Sequence, residues 1–172
     1  MNHRERVATR RQTGVGLIEI LVAVLVLSVG FLYTASMQVR AMRANQAAYH
    51  HSQALMLAGD MMDRMRANTA GVASGAYDGQ STATPVAAPT CLTTGCTPAQ
   101  LAAADLYDWR SKLVDVRGNA GFVPLLPPAS DGASAIGSIA LQAGGDYAIT
   151  LDWSEFVDGS EASRRISVRF VP

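Results

Sequence analysis

The sequence is short of nearly everything from which catalytic and metal sites are built. It has three histidines and two cysteines in 172 residues. His3 lies among the first fourteen residues. His50 and His51 are adjacent, so on a helix they point about 100° apart and cannot form an i, i+4 metal pair. No G-x-S-x-G elbow, H-E-x-x-H pair, phosphate loop or dinucleotide fingerprint occurs. Asp105, Asp108 and Asp115 fall on or near a candidate helix, where a solvated face explains them better than catalysis. No nucleophile, base and orienting group assemble around them. The chain therefore reads as not an enzyme, with no metal, no cofactor and no small-molecule substrate. An excess of one charge is also missing: 14 basic and 14 acidic side chains cancel, leaving no footprint for nucleic acid.

Two further scarcities shape the N-terminal half. Proline is absent before Pro85, so nothing forces an early break in a helix. Charge is nearly absent from Val15 to Ala35, a run of 21 residues whose only carboxylate is Glu19. A helix of about 20 residues crosses the hydrocarbon core of a bilayer, so this segment can span. Arg4, Arg6, Arg10 and Arg11 precede it against a single acid, Glu5. That basic head places the leader side in the cytoplasm and the C-terminal part across the membrane, in the periplasm if the source is Gram-negative.

Three plainer accounts of the run compete. A cleaved secretory signal has an apolar region of roughly 7–15 residues and a small-residue cleavage site; here the run is longer and Ala35-Ser36-Met37 is a poor site. A simple signal anchor leaves Glu19 unexplained. A buried soluble helix does not need the arginines. An acid inside a spanning helix costs about 2.5–3.5 kcal/mol on insertion scales, so Glu19 is a functional candidate that requires a partner.

What the sequence does contain at this junction is Arg10-Arg11-Gln12-Thr13-Gly14 leading into Val15-Gly16-Leu17-Ile18-Glu19. This resembles the class III signal of type IV prepilins: a basic leader ending in Gly, then an apolar run with Glu at its fifth residue. The resemblance implies that a prepilin peptidase cuts between Gly14 and Val15 and N-methylates Val15. It also implies that Glu19 meets the new N-terminus of a neighbouring subunit and sets register during assembly. The family usually has Phe at the position of Val15, and Ser or Thr at that of Gly16. Cleavage would create an α-amino cation one helical turn from Glu19. Two opposite charges lose together much of the penalty each carries alone in an apolar setting.

Beyond the apolar run, Met37–Asn68 continues in helix formers. Leu55, Ala58, Met62 and Met65 follow 3–4 spacing and are expected to pack as a stripe on the C-terminal part, with Asp60, Asp63, Arg64 and Arg66 on the other faces. Gly30 and Gly59 are soft points or close-packing sites. A helix from about Gly16 to Asn68 would run on the order of 80 Å. Residues 69–98, rich in Gly, Ala, Ser, Thr and Pro, read as a surface loop with little regular structure. Cys91 and Cys96 sit in it with four residues between them; in an oxidising compartment they form a local disulfide, and otherwise a pair of free thiols. Zinc would need a second ligand pair, which is lacking.

A short helix follows, with Pro98 near its start and 99–114 as its body. Leu101, Leu106, Trp109 and Leu113 are its expected buried face. The period then changes to two. Tyr147, Ile149, Leu151 and Trp153 alternate with smaller or polar residues, as do Ile166, Val168 and Phe170. These predict two antiparallel strands joined through EFVDGSEAS, with Ser138–Gln142 as a third before a Gly144-Gly145 turn. The expected fold is α+β and type IV pilin-like: a long N-terminal helical spine with a small antiparallel sheet on its C-terminal half. Its divisions are a leader at 1–14, a membrane or filament-core segment at 15–36, an amphipathic continuation at 37–68 and a globular part at 69–172.

MMDRMRAN at Met61–Asn68, DLYDWRSKL at Asp105–Leu113 and the terminal RRISVRFVP look like the minor pilin family called PilV, whose members are also described as type IV pilus modification proteins. That resemblance implies a minor pilin joining other minor pilins and the major pilin in a tip complex that primes pilus assembly, supporting twitching motility and adhesion. It implies single-pass residence in the inner membrane before assembly and in the pilus after it. A minor pseudopilin of a type II secretion system shares the leader, glutamate and spine, and a major pilin differs only in stoichiometry. A signal-anchored periplasmic enzyme is the reading from a different class.

Overall fold

The computed structural model of the chain describes residues 14, 16–129, 131–157 and 160–172. The elements in chain order are α1 (Leu17–Ala67), α2 (Thr69–Ala73), β1 (Gln80–Ser81), α3 (Pro98–Ser111), β2 (Ile136–Leu141), β3 (Tyr147–Val157) and β4 (Ser160–Phe170). The chain divides into two compact units between Met42 and Arg43.

The first unit is the N-terminal part of α1. It starts with Gly16, whose carbonyl accepts from the Glu19 and Ile20 amides. Every described side chain from Leu17 to Met42 is exposed. The hydroxyls of Ser28, Thr34 and Ser36 each donate to the carbonyl three residues earlier, so these polar groups are satisfied by the helix itself.

The second unit begins with the remainder of α1 and closes a core on it. Ala54, Leu57, Ala58, Met61 and Met65 are buried, at spacings of three and four that keep them on one stripe. This stripe is rotated from the expected one. Ala58 and Met65 belong to it, whereas Leu55 is 47 % exposed and Met62 only partly buried. The small Ala54 and Ala58 face inward because they let the head approach the helix backbone closely, and the larger Leu55 is turned out.

Opposite the stripe lie Ile139, Tyr147, Ile149, Leu151, Trp153, Ile166 and Phe170 from the sheet. The sheet is antiparallel throughout, in the order β1-β2-β3-β4. Its register pairs Ile139 with Ile149, Leu151 with Ile166 and Tyr147 with Phe170, so the apolar residues share the face toward α1. The β2–β3 turn uses Gly145 at φ +85°, closed by the Gln142 amide donating to the Asp146 carbonyl at 2.8 Å. β3 and β4 extend further into their connection than the alternation indicated, since Phe156, Val157 and Ser160 are in strands.

α3 starts with a capping box. The Thr97 side chain accepts from the Gln100 amide, the Gln100 side chain accepts from the Thr97 amide, and Pro98 occupies the first turn. Of its expected buried face, Leu106, Trp109 and Leu113 are buried, while Leu101 is intermediate. Trp109 is fully buried between layers: its Nε1 donates to the Leu57 carbonyl of α1 at 3.0 Å. A Cβ on Gly137 of β2 would come within 2.4–2.9 Å of its ring.

Residues 69–98 carry more order than the loop expected from composition. Asn68 caps α2 through its side-chain oxygen, which accepts from the Gly71 amide. β1 then adds a short edge to the sheet, continued by Thr82, whose amide donates to the Gly137 carbonyl and whose hydroxyl accepts from the Gly137 amide. Gly and Ser content conceals both features because the signals reside in single side chains, Asn68 and Thr82.

Candidate functional site

The residues singled out at the N-terminal junction lie at the start of α1. Gly14 is described and exposed, and Val15 lies outside the described residues, as does the leader through residue 13. Glu19 is in the first turn of α1 and exposed, and its carboxylate has no hydrogen bond or ion pair among the described residues. An acid there favours the positive end of the helix dipole. Around it stand Leu17, Ile18, Ile20, Leu21 and Val22, all exposed. The helix is long and apolar enough to cross a membrane by length and composition.

A surface of this kind needs cover. Fully burying a Val, Leu or Ile side chain is worth about 1.5–3 kcal/mol relative to exposure. The described residues supply no cover to residues 17–42.

Cys91 and Cys96 are disulfide-bonded, with Cα atoms 4.9 Å apart. The Thr94 and Gly95 amides both donate to the Cys91 carbonyl, making a tight turn with Gly95 at φ +98°. Cys91 is buried, while Leu92, Thr93 and Thr94 are exposed, so the bridge holds a small rigid projection on the second unit.

The acids of α3 are placed differently from the solvated face expected of them. Asp105 is only 6 % exposed. Its Oδ2 accepts from the Tyr77 hydroxyl at 2.6 Å and its Oδ1 from Arg64 Nη1 at 3.3 Å. Arg64 also donates to Asp108 at 2.5 Å and to Asp60 at 3.1 Å, and Lys112 donates to Asp60 at 2.7 Å. Asn68 Nδ2 donates to the Tyr77 hydroxyl and to the Pro98 carbonyl. The network ties α1 to α3 and satisfies the groups it buries. Asp115 is outside it, and its carboxylate accepts from the nearby Arg117 amide.

Ionisation within the network follows from these contacts. Burial raises the Asp60 carboxyl, but hydrogen bonds and charge from Lys112 and Arg64 outweigh it and leave Asp60 below its usual range. Burial works against the Arg64 cation, yet Asp60, Asp108 and Asp105 hold it above its ordinary value. Burial, then donation to Asp105, pushes the Tyr77 phenol up, so it remains a neutral donor. Each charge has an opposite partner, three carboxylates to two cations, within a packed joint between helices. Among the described residues no group of His, Cys, Asp and Glu is arranged to hold a metal ion.

Sequence reasoning missed the joint because its partners are 28 to 52 residues apart and no local period links them. The capping box of α3 was readable in Thr97-Pro98-Ala99-Gln100.

Residues 36–107 match the family model described as Tt1218-like, Type IV pilin Tt1218. No curated protein and no solved structure matches the chain. The matched segment runs from within α1 through the disulfide loop into α3, and the architecture around it is a long N-terminal helix with a small four-stranded antiparallel sheet in the C-terminal half. The architecture is consistent with a type IV pilin fold, and the match over 36–107 points to a structural protein.

Proposed function

We propose that this chain is a minor type IV pilin, made as a precursor and cut between Gly14 and Val15 by a prepilin peptidase that then N-methylates Val15. The leader is 1–14, the membrane and filament-core segment 15–36, its amphipathic continuation 37–68 and the globular part 69–172. Before assembly the mature chain resides in the inner membrane with its C-terminal part in the periplasm. It then joins other minor pilins and the major pilin in a tip complex that primes the filament, and so supports twitching motility and adhesion.

Glu19 carries this reading. It is an exposed, unpartnered carboxylate in the first turn of a helix whose apolar side chains are uncovered for seven turns. Cleavage after Gly14 supplies a cation at the same depth, on this chain and on each neighbour. In a low-dielectric core a carboxylate and an ammonium attract strongly, although desolvation offsets much of the gain. The pair therefore serves chiefly to select register. The match over 36–107 supports the pilin class, and the patterns at Met61–Asn68, Asp105–Leu113 and the C-terminal strand support the PilV-like subfamily.

The test is mass spectrometry of the N-terminus of the protein taken from membranes and from sheared pili. A mature chain starting at N-methyl-Val15, present in pili in amounts far below the major pilin, is the expected result. A start near Met37, or an intact Met1 in the filament fraction, would overturn the reading.

A further inference from the structure

One carboxylate occupies a place in the sheet that the pattern reserves for apolar residues. Along β3 the inward positions are Tyr147, Ile149, Leu151 and Trp153, followed by Glu155, which is 9 % exposed. Its Oε1 accepts from Trp153 Nε1 at 2.8 Å and its Oε2 from Arg164 Nε of β4 at 3.1 Å. Facing Oε1 from α1 is His50 Nδ1, 3.7 Å away. That nitrogen is buried and has no hydrogen-bond partner among the described residues. A buried polar atom left unpaired is costly, and here its nearest charged group stands about half an ångström beyond ordinary hydrogen-bond distance.

We propose that His50 and Glu155 form a proton-operated clasp between α1 and the sheet. In the neutral tautomer that carries its hydrogen on Nε2, the Nδ1 lone pair faces a carboxylate oxygen and the gap stays open. Protonation turns Nδ1 into a charge-assisted donor aimed at Oε1, and the gap closes. The neighbouring groups leave this response in place. On α1, the residues beside and one turn from His50 are Tyr49, His51, Gln46, Ala47, Gln53 and Ala54, of which Tyr49 and His51, both exposed, carry ionisable groups. On β3 the facing group is Glu155. On β4 it is Arg164, which opposes a second cation but is half exposed and already engaged by Glu155. The first buried residue of α1 is Ala54. The closed clasp thus extends the part of α1 held by the sheet by one turn toward its N-terminus. The test therefore spans about pH 5.5 to 7.5, inside the range where imidazole is the side chain that ordinarily changes charge.

The clasp has a built-in reporter, because Trp153 Nε1–H donates to the same oxygen that His50 approaches. In the full chain in detergent micelles with 15N-labelled tryptophan, the Trp153 indole signal is expected to shift in one step across that range. The Trp109 signal, whose Nε1 donates to the Leu57 carbonyl, stays fixed. His50→Gln removes the step, Glu155→Gln reduces it, and His51→Gln leaves it. The unfolding midpoint of the wild type is expected to rise by about 2–4 °C from pH 7.5 to 5.5, a rise that His50→Gln abolishes. A Trp153 signal that ignores pH, or that titrates unchanged in His50→Gln, overturns the proposal.

Discussion

Helix α1 is one element made in two ways. Up to Met42 its side chains are uncovered on every face; beyond Arg43 a stripe of five residues is buried under a sheet and a second helix. Both stretches are rich in apolar residues, so hydrophobicity alone does not separate them. The difference is in distribution. The covered stretch sets charged residues such as Asp60, Asp63, Arg64 and Arg66 among its apolar ones. The exposed stretch, up to Val39, has one charge in all. An amphipathic helix finds its cover within its own fold, and a helix apolar all round has to find it in lipid or in other chains.

This contrast predicts that changes in the first stretch act on assembly and leave the head intact, while changes in the second act on the head. The largest effect belongs to Glu19→Ala. Loss of the carboxylate removes a cost of about 2.5–3.5 kcal/mol for placing it in the bilayer, so insertion is undiminished. Incorporation into sheared pili should nevertheless fall about tenfold or more, since 1.4 kcal/mol of lost assembly free energy is already a factor of ten. The unfolding midpoint of the head should not move. Normal incorporation of this variant would dissolve the distinction between the two stretches.

In the covered stretch the effects fall on the stability of the head instead of on assembly. Trp109→Ala removes the ring that fills the space between α1 and β2, and aromatic-to-alanine changes of this kind cost about 3–5 kcal/mol. Gly137→Ala attacks the same contact from the opposite side. Its Cβ would stand within 2.4–2.9 Å of a ring that is fully buried and tethered through Nε1, so overpacking of about 1–3 kcal/mol is expected. Denaturant unfolding of the full chain in detergent, followed by fluorescence, measures both. In each case the processed N-terminus should be unchanged.

How much of this could be read in advance depended on whether the signal was local. The apolar run, the Glu19 position, the C-terminal alternation and the Gly144-Gly145 turn are patterns within a dozen residues, and the structure carries the helix, strands and turn where they predict. The buried stripe of α1 was misplaced by one position in part, because alanine at 54 and 58 packs as well as leucine where a close approach is needed. Asp105 read as solvated because its partners, Arg64 and Tyr77, are far away in sequence. Glu155 likewise hides in a strand whose period is correct but whose last inward residue is charged. Polar groups buried by tertiary contact leave no periodic trace.

The disulfide is a smaller perturbation. Replacing both Cys91 and Cys96 with Ser releases a loop of a few residues, for which chain entropy gives about 2 kcal/mol as an upper figure. Most of the change should be local: amide exchange at 91–95 speeds up by an order of magnitude or more, while the protection of β3 and the covered stretch of α1 shifts by less. Equal acceleration throughout the head would make the bridge a global staple instead of a local one.

The smallest effect expected comes from acid, and it again separates the two stretches. Asp60 is held below its usual range by Lys112 and Arg64, against the opposing effect of burial. A carboxylate depressed on folding contributes stability that is complete above the unfolded value, about pH 4, and lost as pH falls through the lower folded value. The group is roughly a third exposed, so solvent screening keeps the contribution well below that of a buried pair, under about 1 kcal/mol. The unfolding midpoint should therefore decline slightly between pH 4 and 2 and more weakly in Asp60→Asn. Arg64→Ala should lower stability already at pH 7, because it leaves Asp105 buried with Tyr77 as its remaining donor. Neither change touches the exposed stretch of α1. Amide exchange at residues 17–42 in micelles at pH 7 should be the same in both variants as in the wild type, because both altered side chains belong to the second unit.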